Sequence, residues 1–137
     1  MFCEDGLRNA FFHYICQPSK LINLHDKKKT VSTDTLLSAI LHELSQIKAR
    51  DIVLMDLRGI ESAVCSYFVV CTGNSSTHVH SIAGQVEKQV SRTTGERPWH
   101  VEGADNAQWV LMDYADIVVH VFQEATRQFY DLESLWG

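Results

Sequence analysis

The chain has 137 residues, 45% hydrophobic and 21% charged, a balance that excludes collagen-like, mucin-like and broadly disordered chains and predicts one globular domain. Its 12 basic and 17 acidic side chains give a formal charge of −5, the wrong sign for a protein that wraps DNA or RNA by neutralising phosphates. That charge is uneven. Residues 1–33 hold more bases than acids, whereas from Glu102 onward seven acids stand against Arg127 alone, which suits a basic protein partner.

Residues 1–33 lack sustained periodicity and carry Pro18 and the run Lys27-Lys28-Lys29; they are predicted to form an N-terminal extension, poorly structured or docked through Phe11, Phe12, Tyr14 and Ile15. The domain proper is predicted over 34–137. It opens on a helix with Thr33 or Asp34 as N-cap and Leu36, Leu37, Ile40, Leu41, Leu44 and Ile47 at helical spacing. Ile52 to Leu57 and Tyr67 to Cys71 are short apolar runs that read as buried strands. Thr72-Gly73-Asn74-Ser75-Ser76 is a strand-to-helix turn, and the helix after it carries Val79, Ile82, Ala83, Val86 and Val90 on one face. Gly95 is the predicted left-handed cap of that helix, with Pro98 preventing continuation. Trp99 to Glu102, Trp109 to Tyr114 and Ile117 to Phe122 read as three more strands, the last two a hairpin through Tyr114-Ala115-Asp116. A closing helix from about Glu124 places Phe129, Leu132 and Leu135 at helical spacing. Five strands and three helices predict a single α/β or α+β domain, a mixed five-stranded sheet flanked by helices.

Cys3, Cys16, Cys65 and Cys71 lack CxxC spacing and read as reduced thiols of a cytoplasmic protein. Ala10 to Cys16 is too short for a secretory core, and no membrane span is expected. The turn at Gly73 to Ser76 lacks a P-loop lysine and spaced glycines, so capping outweighs phosphate binding there. Asp56, Asp113 and Asp116, with that turn, are the residues a magnesium-dependent nucleotidyl transfer would draw on. Such enzymes follow the turn with a carboxylate pair, and residues 83–90 offer Glu87 alone. Asp56 is therefore assigned a structural role, accepting backbone or arginine hydrogen bonds. The histidines show no spacing that sets two metal ligands on one face, and no GxSxG elbow is present. No cofactor and no metal are expected. The aromatics of the C-terminal third, Trp99, Trp109, Tyr114, Phe122, Phe129, Tyr130 and Trp136, are interleaved with acids; Phe122, Phe129 and Trp136 are assigned to the core, and Trp109 fits either core or surface.

Seven segments in register carry a resemblance: Asp51-Ile52-Val53 through Asp56, Tyr67 to Gly73, Ser75 to Val79, Val101-Glu102-Gly103, Trp109 to Tyr114 with Asp116, Val118 to Phe122, and Arg127 to Trp136. Together they resemble the ribosomal silencing factor family, also called Iojap-like, over 34–137. The resemblance implies a nucleotidyltransferase-like topology without the active site, and a non-enzymatic factor. Such a factor binds a large-subunit ribosomal protein at the subunit interface, blocks joining of the subunits, and so represses translation under nutrient limitation. A homodimer is also implied, and DNA is not a partner. Two departures stand out: the first 33 residues have no counterpart, and His80 occupies a place where a basic residue is common. The expected partner-binding face comprises Glu102, Trp109, Asp113, Tyr114, Asp116 and His120, with Trp109 and Tyr114 as anchors. The alternative is a small nucleotidyl- or phosphoryl-transferring enzyme using Gly73, Ser75, Asp56 and Asp113.

Overall fold

The computed structural model describes residues 31–132 except 62 and 64, together with 134. The chain divides into two units, Met1–Thr30 and Val31–Gly137, and the described residues all belong to the second. The expectations for Phe11, Phe12, Tyr14 and Ile15, and for Leu135 and Trp136, lie outside the described residues.

Helix α1 spans Thr33–Gln46. Its N-cap is Ser32, one or two residues before the cap predicted from sequence: the Ser32 backbone is extended and its hydroxyl accepts from the Thr35 amide at 3.2 Å. Leu36, Leu37, Ile40 and Leu44 are its buried stripe. The helix ends in paired reversals, Ala49 N–H to the Leu44 carbonyl and Lys48 N–H to the Ser45 carbonyl. This places Lys48 at φ 60°, the left-handed position glycine usually takes.

Strand β1 (Arg50–Asp56) pairs antiparallel with β2 (Tyr67–Gly73), and the register shifts between Arg50 and Val53, where Asp51 has φ 50°. Arg127 holds that irregularity, donating to the Asp51 carbonyl at 2.8 Å and the Thr72 hydroxyl at 2.7 Å. Helix α2 (Ser76–Thr94) is capped by the Ser75 side chain and closed by Gly95 at φ 78°, as its sequence predicts. The chain then forms β3 (His100–Glu102), β4 (Trp109–Asp113), β5 (Ile117–Gln123) and α3 (Glu124–Tyr130).

The sheet order is β1-β2-β5-β4-β3, with β2 and β5 parallel and the other pairs antiparallel. This is a single α+β domain with a mixed five-stranded sheet. One face, built from Tyr67, Val69, Cys71, Val110, Met112, Ile117, Val119 and Val121, meets the apolar stripes of α1 and α2. Alternation along the strands sends Phe68, Trp109, Leu111, Val118, His120 and Phe122 to the opposite face, and these are buried too. The central strands β2, β4 and β5 are therefore covered on both sides.

Candidate functional site

The strand-to-helix turn is built as a cap. Ser75 Oγ accepts from the His78 amide at 3.1 Å, and the Asn74 amide donates to His78 Nδ1 at 2.9 Å. The carbonyl of Ile47 only accepts, so His78 Nε2, 3.0 Å away, carries the ring proton and ties the turn to the end of α1. Gly73 is needed where β2 enters α2: a Cβ there would sit 2.7 Å from Val79 Cγ2 and 3.0 Å from its backbone nitrogen.

The three aspartates serve local structure. Asp56 is held by a two-point fork from Arg58, Nε to Oδ1 at 2.9 Å and Nη2 to Oδ2 at 2.7 Å, with the Arg58 amide adding a third bond. These bonds lower its carboxyl to about 2, and Arg58 also lies over the Tyr67 ring, 5.2 Å from its centroid. The structural role predicted for Asp56 is the one observed. Asp113 is wholly buried, with Oδ1 accepting from the Ala115 amide at 2.8 Å to shape the β4–β5 turn. Asp116 accepts from the Thr33 hydroxyl at 2.7 Å, and its carbonyl takes the amides of Ser66 and Tyr67.

The six residues expected to form a docking face do not share an exposed surface. Trp109, Asp113, Tyr114 and His120 are interior, which corrects the assignment of Trp109 and Tyr114 as surface anchors. Trp109 Nε1 donates to His120 Nδ1 at 3.1 Å inside an aromatic layer. There Phe68 meets His120 edge-on at 4.7 Å, while Trp109 stacks on Phe122 at 4.9 Å and touches Tyr130 at 5.0 Å. Burial pushes His120 down to about 3, so its ring is neutral. The Tyr114 hydroxyl is pushed up, first by burial and then by the negative charge of Glu87. Only Glu102 and Asp116 of the six reach solvent. Glu102 lies on the edge strand β3, its Oε1 3.1 Å from His100 Nε2. The physical reason is coverage of both sheet faces, which leaves the inner strands no exposed side.

Phe129, assigned to the core from its spacing, is 61% exposed. The buried side of α3 is formed by Thr126 and Tyr130, and Asp131, at φ 45°, ends the helix after seven residues just before the buried Leu132. Cys71 is a core thiol, pushed up to about 12 by burial against a weaker opposing effect of Arg127. The exposed apolar side chains lie at the sheet edges and on α3: Leu54 on β1, Trp99 and Val101 at β3, and Phe129. Sequence reasoning missed this edge, because exposure of a strand depends on its place in the sheet order.

A profile of the family described as "Ribosomal silencing factor during starvation" matches residues 30–137. The chain belongs to the ribosomal silencing factor family. It is 44% identical over 90 residues to the ribosomal silencing factor of Bacillus subtilis, covering 66% of this chain and 75% of that one. It is 30% identical over 95 residues to a mouse protein named for mitochondrial assembly of the ribosomal large subunit, covering 68% of this chain and 41% of that one. A crystal structure of a Chromobacterium violaceum protein superposes with a TM-score of 0.73 at 32% identity, over 78% of this chain and 88% of that one. Membership in this family supports a role in ribosome-associated regulation of translation. Among the described residues no helix is long and apolar enough to cross a membrane.

Proposed function

We propose that this protein is a non-enzymatic, cytoplasmic ribosomal silencing factor. It docks on the large ribosomal subunit through a basic ribosomal protein at the subunit interface and sterically prevents the small subunit from joining. The observation that carries this reading is the family match across the entire described domain. The name of the mouse relative supports the large subunit as the target.

The docking surface in this reading is the β3 end of the described sheet order, where the exposed side chains of Trp99 and Val101 alternate with His100 and Glu102 along the chain. An exposed apolar residue beside an acid at the end of a sheet supplies buried area together with charge complementary to a basic partner. The acid-rich segment beyond residue 101 supplies the long-range attraction. A homodimer of the free protein belongs to the same reading and is measured by light scattering.

The groups that nucleotidyl transfer would draw on are otherwise engaged: Ser75 caps a helix, Asp56 is clamped by Arg58, and Asp113 shapes a turn inside the domain. This arrangement favours a binding role over phosphoryl transfer. The test mixes purified small and large subunits with and without the protein and follows intact ribosomes by sucrose-gradient sedimentation. The expected result is loss of the joined species with the protein retained on the large subunit; normal joining at saturating protein overturns the assignment.

A further inference from the structure

The domain that follows residue 33 is acidic, yet three of the four cations whose side chains make no ion pair or hydrogen bond among the described residues line one groove, Lys48 at the end of α1 being the fourth. Arg50 lies 3.3 Å from Glu124, Arg58 clamps Asp56, and Arg127 donates to Asp51 and Thr72. Lys88, Arg92 and Arg97 are exposed and form no ion pair or hydrogen bond among the described residues. All three line a groove of about 360 Å³ together with Gly84, Glu87 and Ser91.

The geometry has a simple origin. Gly84, Lys88, Ser91 and Arg92 recur at three- and four-residue spacing, so they lie along one face of α2. Gly95, at φ 78°, reverses the chain and brings Arg97 back to the same groove. Gly84 contributes no side chain, and a Cβ there would meet nothing within 4 Å, so that end is open. Glu87, the one carboxylate of the lining, is half-buried, and its charge acts on the interior Tyr114 hydroxyl.

We infer that the Lys88–Arg92–Arg97 groove is a second contact surface of this protein, one that grips the phosphate backbone of ribosomal RNA next to the docking site. The inference rests on the proposed function in placing the protein on the large subunit. Charge complementarity then selects the ligand. A basic ribosomal protein is repelled by three like charges, and the other major component of the subunit surface is RNA, with a phosphate at every nucleotide. Two guanidinium groups offer planar forks for phosphate oxygens, and the lysine adds a mobile point charge. Arg97 lies two residues before Trp99, so a partner covering the β3 edge brings neighbouring RNA towards the groove. A three-cation contact is compatible with the net charge of −5, which argues only against binding along the whole surface.

The test compares the full chain with the triple variant Lys88→Gln, Arg92→Gln, Arg97→Gln, after thermal melts show both folded. Binding to purified large subunits is measured from 50 to 200 mM salt. Three phosphate contacts give a log–log salt slope of about −2.1 to −2.7, a loss of about 20- to 40-fold over that range. The variant is expected to lose that part of the slope and to bind about tenfold or more weakly at 50 mM. Unchanged affinity and slope overturn the groove while leaving the docking proposal standing. If the unsubstituted protein fails to bind subunits, the functional proposal falls, and RNA extracted from the large subunit then decides the groove. Binding of that RNA at 50 mM salt that is lost in the triple variant upholds the groove; absence of binding overturns it. Stronger competition by poly-glutamate than by RNA also overturns it, in favour of an acidic protein partner.

Discussion

Replacing Trp109 by Phe separates a core tryptophan from a surface anchor. Trp109 Nε1–H is the donor to His120 Nδ1, and both side chains are buried. Phenylalanine keeps an aromatic ring against Phe122 but removes the donor, leaving an acceptor unpaired away from water, which costs about 1–3 kcal/mol. The smaller ring also gives up buried apolar surface, for about another 1 kcal/mol. The sum is a loss of about 3 kcal/mol, a large share of the roughly 5–15 kcal/mol that a domain holds. For a domain near 100 residues this lowers Tm by about 12 °C or more. Urea unfolding followed by circular dichroism is the assay, with an unchanged m-value showing that only stability moved. The conservative change Trp99→Phe at the exposed edge is the control, expected to shift stability by less than about 0.5 kcal/mol. A cycle with His120→Phe completes the test: the double variant is expected to be about 1 kcal/mol or more better than the sum of the singles, because the orphaned acceptor is gone. If Trp109→Phe leaves the midpoint unchanged while weakening attachment to large subunits, the interior placement is wrong and Trp109 is a docking anchor.

Three further outcomes follow from the structure. His120 titrates near 3 in the fold against an ordinary 6.5, so between those values the unfolded chain binds the extra proton and stability falls as pH falls. The loss approaches about 1.4 kcal/mol per pH unit, or about 2 kcal/mol from pH 7 to pH 5, and urea midpoints of His120→Phe are expected to lack that difference. Lys48→Gly relieves an exposed left-handed position and is expected to stabilise by about 0.5–1 kcal/mol, read as a raised thermal midpoint. Gly73→Ala drives a methyl against the Val79 backbone and is expected to cost about 1–3 kcal/mol in denaturant unfolding.

Much of this domain is local chemistry and was legible in the residues themselves. The apolar stripe of Leu36, Ile40 and Leu44, the Ser75 cap, the left-handed stop at Gly95 and the tight turn around Ala115 each depend on neighbours a few positions apart, so hydrophobic period and cap preference suffice to place them. The Asp56–Arg58 clamp is equally local, spanning two residues. Seven family-like segments in register carried the family, because their order along the chain is itself a sequence property.

What only the tertiary structure decided is which side chains face water. Trp109 and Asp113 stand in a strand whose polar and aromatic residues suggest an exposed face, yet β4 lies between β5 and β3 with both its faces covered, so they are interior. Val101 in the edge strand β3 and Trp99 just before it are equally apolar, and they remain at the surface. Phe129 kept its helical spacing but lies on the outer side of α3, whose buried residues are Thr126 and Tyr130. Arg97 joins Lys88 and Arg92 only because Gly95 turns the chain back. Exposure is a property of sheet order, layer coverage and chain reversal, which bring together residues far apart in sequence, and no local pattern of hydrophobic and charged residues contains that information.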